Sequence, residues 1–171
     1  SATIQLPING GYYRSATLSQ ISGTMKDNPV TGHSGISEVR IILKRENNTF
    51  WRGPDNNVFE PGIYRATTTV FTSSWSVSGF TLDSNELYRL WVEAEDNAGN
   101  EIRFTNTQIN NNAGCVSFRY DNDTPSTVMT VPSPDSYLNT PPTVISGTAQ
   151  DGAGSSGIEE GAGAQFRFRL G

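Results

Sequence analysis

The sequence predicts an all-β protein folded as a sandwich, and three observations carry that prediction. Charged residues make up only 17% of the chain and apolar residues 35%, while Gly alone occurs 17 times among many Ser, Thr and Asn. Such a balance suits strands with one polar face, joined by turns, better than it suits helices. No stretch repeats apolar residues at i, i+3, i+4 and i+7 behind a capping residue, so no amphipathic helix is expected. Short strand-like segments instead recur between turn-forming clusters over about 120 residues, the habit of a β-sandwich.

In chain order, the first strands are expected at 2–6 and 17–24. The run Ile36-Ser37-Glu38-Val39-Arg40-Ile41-Ile42-Leu43-Lys44-Arg45 alternates, with Val39, Ile41 and Leu43 on one face and Glu38, Arg40 and Lys44 on the other, as in a strand with one buried face. Glu46-Asn47-Asn48 turns the chain back into Thr49-Phe50-Trp51 to make a hairpin. Further strands fall at 63–72 and 74–80. From Tyr88 to Glu95 the pattern directs Tyr88, Leu90, Val92 and Ala94 inward and Arg89, Trp91, Glu93 and Glu95 outward. Asp96-Asn97-Ala98-Gly99-Asn100 is a turn, with Gly99 free to take positive φ. Strands at 101–108 and 115–121 complete the set. The segment from Leu82 to Tyr88 has the form of a tyrosine corner, a buried ring at the start of the penultimate strand whose hydroxyl bonds back to upstream backbone. It narrows the prediction to an immunoglobulin-like β-sandwich with Greek-key connections.

The two ends of the chain resemble each other. Thr3-Ile4-Gln5-Leu6-Pro7, Tyr12-Tyr13, Ile21-Ser22-Gly23-Thr24, Asp27 and Ser34-Gly35-Ile36 return in the same order. Their counterparts are Val128-Met129-Thr130-Val131-Pro132, Tyr137-Leu138, Ile145-Ser146-Gly147-Thr148, Asp151 and Ser156-Gly157-Ile158. The offset is 125 at the proline (132 − 7), 124 at the Ile-Ser-Gly-Thr block (145 − 21) and 122 at the Ser-Gly-Ile block (157 − 35). Such a period is too long for a solenoid and fits tandem whole domains. The copies meet at Asp121-Asn122-Asp123-Thr124-Pro125-Ser126, a polar linker holding a proline. Residues 1–124 are therefore expected to form one complete domain, and 125–171 the first strands, about three, of a second.

With these residues assembled, the chain resembles the bacterial Ig-like repeats of large secreted and cell-surface proteins. The motifs that carry the resemblance begin with Ile21-Ser22-Gly23-Thr24 and Asp27, then Ser34-Gly35-Ile36 leading into an alternating strand, and Phe50-Trp51-Arg52-Gly53. They continue with the Tyr88 strand ending in Ala94-Glu95-Asp96-Asn97-Ala98-Gly99-Asn100, and with the exit Tyr120-Asp121 to Thr124-Pro125. The resemblance implies an extracellular location and a non-catalytic role as stalk, adhesin, surface lattice or filament module, with a neighbouring repeat or subunit as protein partner.

Composition excludes several other classes. The net charge is −5 with scattered basic residues, which offers no nucleic-acid footprint. No run approaches the roughly 18 apolar residues of a membrane span, and no signal peptide is visible. A single cysteine, Cys115, rules out an internal disulfide and any multi-cysteine metal site, and reads as a small packed hydrophobe. Nucleophilic triads need an imidazole. The one histidine, His33, lies in a Thr-Gly-His-Ser-Gly loop and reads as solvated. Glu93 and Glu95 share an outward face and read as a solvated strand surface. No enzymatic activity is expected.

Two ligands remain to be weighed. In an immunoglobulin-like sandwich the loops after the second and penultimate strands meet at one pole, which brings Asp27, Asp96 and Asn100 together. Asp151 of the second copy would likewise face Asp121 and Asp123 of the linker. Calcium takes six to eight oxygen ligands, and such sets could stiffen the joint between repeats. Alternatively, the same residues cap their own turns. A glycan is the second candidate: Trp91 on the outer face, with Trp51, Tyr12 and Tyr13, could form a stacking platform, unless neighbouring segments cover the rings. Three strands ending at Phe166-Arg167-Phe168-Arg169-Leu170 cannot close a sandwich. Completion is expected either from a longer natural chain or from a neighbouring chain adding a strand.

Overall fold

A computed structural model describes residues 1–27, 34–152 and 157. In chain order the strands are β1 (Ala2–Leu6), β2 (Gly11–Tyr13), β3 (Ile21–Met25), β4 (Ile36–Arg45), β5 (Thr49–Trp51), β6 (Phe59–Pro61) and β7 (Ala66–Thr67). There follow β8 (Thr69–Val70), β9 (Ser74–Val77), β10 (Glu86–Asp96), β11 (Glu101–Ile102), the short helix α1 (Asn106–Asn110), β12 (Val116–Tyr120), β13 (Ser126–Val131) and β14 (Ser146–Gln150). The described chain is thus all-β apart from one helical turn.

One sheet runs β1-β3-β9-β8 and the other β2-β12-β10-β4-β5-β6, with β11 also on β10 and β7 also on β4. The alternation of β4 and β10 explains how they meet. Val39, Ile41 and Leu43 of β4 and Tyr88, Leu90 and Ala94 of β10 face the same core as Ile21 and Met25 of β3 and Trp75 and Val77 of β9. Burying such faces against each other is what drives a sandwich together. The chain changes sheets at Thr68. Ala66 and Thr67 pair with β4, whereas Thr69 and Val70 pair with β9. Thr68 itself holds the corner, its amide and hydroxyl both donating to the Val39 carbonyl, at 3.0 and 2.9 Å. The expected strand 63–72 is therefore two short strands in different sheets.

The tyrosine corner forms as the sequence implied. Tyr88 is fully buried, the Asp83 amide donates to its hydroxyl at 2.8 Å, and the hydroxyl donates to the Asp83 carbonyl at 3.4 Å. The β4–β5 hairpin turns at Asn48 with φ of 64°, and Gly99 takes φ of 83° in the turn after β10.

The expected strand at 101–108 needs correction. Only Glu101 and Ile102 pair; the chain then turns into α1. Thr105 and Gln108 form a capping box, the Thr105 hydroxyl accepting from the Gln108 amide at 3.2 Å and the Gln108 side chain accepting from the Thr105 amide at 2.9 Å. That reciprocal pair satisfies amides that a helix start leaves open.

The second copy repeats the first in backbone detail. In β1–β3, Thr3 faces Thr24, Ile4 faces Gly23, and a bulge precedes the pairing of Leu6 with Ser22. In β13–β14, Val128 faces Thr148, Met129 faces Gly147, and a bulge precedes the pairing of Val131 with Ser146. Both Leu6–Pro7 and Val131–Pro132 are cis. The loop after each pair is held alike, with Gly35 N–H donating to Asp27 at 2.9 Å and Gly157 N–H to Asp151 at 3.0 Å. The third strand expected of the second copy lies outside the described residues.

Candidate functional site

Four places could carry function, and each is built by a different part of the fold. The first is the outer face of the larger sheet. Alternation puts Trp91 there, as expected, but the ring is 0% exposed. The segment from Phe104 to Cys115 folds back over it. Ile109 of α1 is buried against Ile42, Phe50 and Trp91, and Ile63, Phe104 and Cys115 pack around them. Polar groups fix this cover at three points. The Trp91 indole N–H donates to the Ala113 carbonyl at 2.8 Å. Glu93 accepts from the Phe104 amide at 3.0 Å and from Arg65 at 2.8 Å. Lys44 donates to Asn112 Oδ1 at 2.9 Å and lies 3.4 Å from the Ile109 carbonyl.

These contacts correct the picture of a solvated outer face. Glu93 and Lys44 are each 1% exposed. Burial pushes the Lys44 ammonium below the ordinary lysine range, and the nearby positive charge of Arg89 adds to the effect. Glu93 and Glu95 do not act as a carboxylate pair, because each has its own arginine, Arg65 for Glu93 and Arg40 for Glu95. Trp51 is also buried, in the sandwich core, with its indole N–H bonded to Asn57 at 3.1 Å. Neither tryptophan considered for glycan stacking presents a ring face to solvent.

The second place is the pole. Asp27, Asp96 and Asn100 do come together, lining a shallow cavity of about 360 Å³ with Ser1, Ile36, Glu95, Glu101 and Ile102. Both aspartates already accept hydrogen bonds. Asp96 accepts from the amides of Ala98 and Asn100 and from the Asn100 side chain, all at 2.9 Å. Those bonds, the Asn100 side chain first, hold its carboxyl below the usual carboxylate range. Asp27 accepts from Gly35, and Arg40 supplies a cation to Glu95 and Glu101 on the cavity wall.

The third place is the linker. Asp121 accepts from the Asp123 amide at 3.0 Å, and Asp123 accepts from the Asn85 side chain at 2.6 Å. The loop of Asp151 does approach them. A Cβ placed on Gly152 would stand 3.4 Å from Asn85 Nδ2 and 3.7 Å from Asp123 Oδ2. Asp151 itself turns into its own loop and accepts from the amides of Gly152 and Gly157. Among the described residues, no group of three or more His, Cys, Asp or Glu side chains is disposed to hold a metal ion. At both sets the aspartates accept hydrogen bonds from backbone amides of their own turns. His33 lies outside the described residues, and no helix among those described is long and apolar enough to cross a membrane.

The fourth place is the β13–β14 hairpin. Every residue of β13 is exposed, including Val128, Met129 and Val131. In β1 the counterparts of Met129 and Val131 are Ile4 and Leu6, which pack on the sandwich core. The sequence pointed to this bare surface through the repeat. It gave no sign of the buried Lys44 and Glu93, since alternation tells which face a side chain is on and not what covers that face. The chain matches no protein-family model and no curated protein.

Proposed function

We propose that this chain is a non-catalytic structural repeat module of immunoglobulin-like type, part of a bacterial extracellular surface protein, which acts by spacing and by protein–protein assembly. The observation that carries the reading is the duplicated strand pair, with its matched register, bulge and aspartate-locked loop, joined to the first sandwich by a short polar linker. Strand order supports the immunoglobulin-like assignment: β3 and β10 lie in opposite sheets, and a tyrosine corner opens β10. The burial of Trp91 and Trp51 favours this role over a glycan-binding one.

The pairing of β2 with β12 also supports a spacer. Near the start of the first sandwich β2 runs parallel to β12, the strand that leads into the linker. Tension applied at the two ends of residues 1–124 is met first by β1 on β3 and, once β1 has peeled away, loads the β2–β12 hydrogen bonds in shear, all at once, instead of unzipping them singly. Single-molecule stretching of the chain tests this. The expected record is one discrete high-force event for residues 1–124; smooth extension at low force, or glycan binding on an array, would overturn the proposal.

A further inference from the structure

From the two copies of one strand pair, of which only one is covered, we infer that the β13–β14 hairpin is an acceptor for a tryptophan-bearing β-strand. The inference rests on the repeat-module reading and names the chemistry of the partner. The first copy displays the occupied state. There β9 lies antiparallel along β3, with Ile21 facing Val77, Ser22 facing Ser76, Gly23 facing Trp75 and Thr24 facing Ser74. Trp75 lies across Gly23. A Cβ on that glycine would fall 2.7 Å from the indole ring and 1.8 Å from the Thr3 carbonyl. The indole N–H crosses the glycine to donate to that same carbonyl at 3.1 Å. Glycine is needed because backbone and ring both approach where a side chain would stand.

The second copy holds the same slot without the ring. Gly147 faces Met129 as Gly23 faces Ile4, and a Cβ on it would fall 2.5 Å from the Val128 carbonyl. Gly23 is buried whereas Gly147 is exposed. Met129 and Val131, 48% and 42% exposed, stand where Ile4 and Leu6 are packed. Among the described residues β14 pairs only with β13, and a two-stranded ribbon alone is marginal in water. The partner that fits is a strand of the β9 pattern, Ser-Trp-Ser-Val, with Trp and Val turned inward and the serines outward. It adds antiparallel to Ile145–Thr148, lays its indole over Gly147 and donates to the Val128 carbonyl. Backbone pairing supplies affinity and the single ring slot supplies selectivity.

The probe is a synthetic peptide with the sequence of residues 70–79, titrated into the isotope-labelled full chain and followed by amide resonances. The expected result is saturable shifts at residues 145–149 and at Met129, with β3 unmoved. A peptide with alanine in place of the tryptophan should bind about tenfold more weakly or worse, since an aromatic anchor dominates such an interface. Two variants of the full chain test the site. Gly147→Val fills the slot, and Met129→Lys alters the face without touching the glycine; both should abolish binding. Shifts confined to β3, equal binding of the alanine peptide, or no binding at millimolar peptide would each overturn the inference. So would concentration-dependent shifts at 145–149 without peptide, which would make a second copy of this chain the occupant. None of these outcomes alters the stretching record of residues 1–124, so the spacer proposal stands or falls separately.

Discussion

Replacing Tyr88 with phenylalanine removes one oxygen from the corner that joins β10 to the segment before it, and its effect can be worked at two pH values. At pH 8 the Asp83 amide, which donates to the Tyr88 hydroxyl at 2.8 Å, is left without its partner in a part-buried setting. Such a loss costs about 1.5 kcal/mol. The ring stays in place, stacked on Phe118 with centroids 5.5 Å apart, so no cavity cost is added.

The wild-type hydroxyl also couples folding to pH. Burial pushes the Tyr88 hydroxyl up to about 12, against the opposing influence of the Asp83 hydrogen bond and Arg45. In the unfolded chain a tyrosine ionises near about 10. The folded form therefore holds its proton where the unfolded form has lost it, and the unfolded state binds fewer protons above pH 10. The contribution is fully present below about pH 10 and is lost as pH rises towards 12, on the order of 3 kcal/mol in all and roughly half of that by pH 11. Phenylalanine has no such dependence. The stability difference between the two proteins should shrink from about 1.5 kcal/mol at pH 8 to close to zero at pH 11. Lys44, whose lowered value makes stability rise with pH, is common to both and cancels. Urea unfolding followed by tryptophan fluorescence gives the readout, since Trp51, Trp75 and Trp91 are all buried. Parallel loss of stability in the two proteins across this range would refute the reasoning.

Two further outcomes are expected. Trp91→Ala should cost about 3–5 kcal/mol in thermal or urea unfolding, and amides of residues 106–113 should exchange faster, because the cover loses the ring it packs on and the anchor at Ala113. If the cover were incidental, unfolding would shift by less than about 1 kcal/mol. Addition of millimolar calcium, or of a chelator, should leave the melting temperature unmoved, because Asp27, Asp96 and Asp151 already accept backbone donors; a rise of several degrees, with heat in a calorimetric titration, would place a cation at the pole or the linker.

What could be read from the sequence was local. The inward residues of β4 and β10 follow from strict alternation, and the tyrosine corner from one tyrosine placed after a turn. The duplicated strand pair follows from a repeated string of residues. What could not be read depended on segments far apart in the chain. Lys44 and Glu93 lie on the polar face of their strands, so a single-strand pattern assigns them to solvent. Residues 104–115 cover them, from as near as 11 positions (Phe104 on Glu93) to as far as 68 (Asn112 on Lys44). A clue stood in the sequence: Thr105 and Gln108 have the spacing of a capping box. A helix of five residues is too short to display an apolar stripe, so periodicity passed over it. The meeting of Asp27, Asp96 and Asn100 followed from sheet order. What their oxygens do was decided by turn geometry, which places the amides of Ala98 and Asn100 against Asp96.

The two hairpins separate what sets register from what supplies stability. Register in a sheet is usually pinned by burial, because a slip of one residue turns the apolar face to solvent. Here β13–β14 keeps the register and bulge of β1–β3 although its apolar face is exposed. The pairing is the same in the covered copy and in the exposed one. The features common to both copies are short-range: a glycine where the partner carbonyl approaches too closely for a side chain, a proline closing the first strand, and an aspartate locking the loop after the second. Such signals choose a geometry and contribute little free energy. In the first copy the energy comes from Trp75 and the opposing sheet, which remove Ile4, Leu6 and Gly23 from water. The second pair carries the same instructions without that burial, a shape already cut for the strand that would bring it.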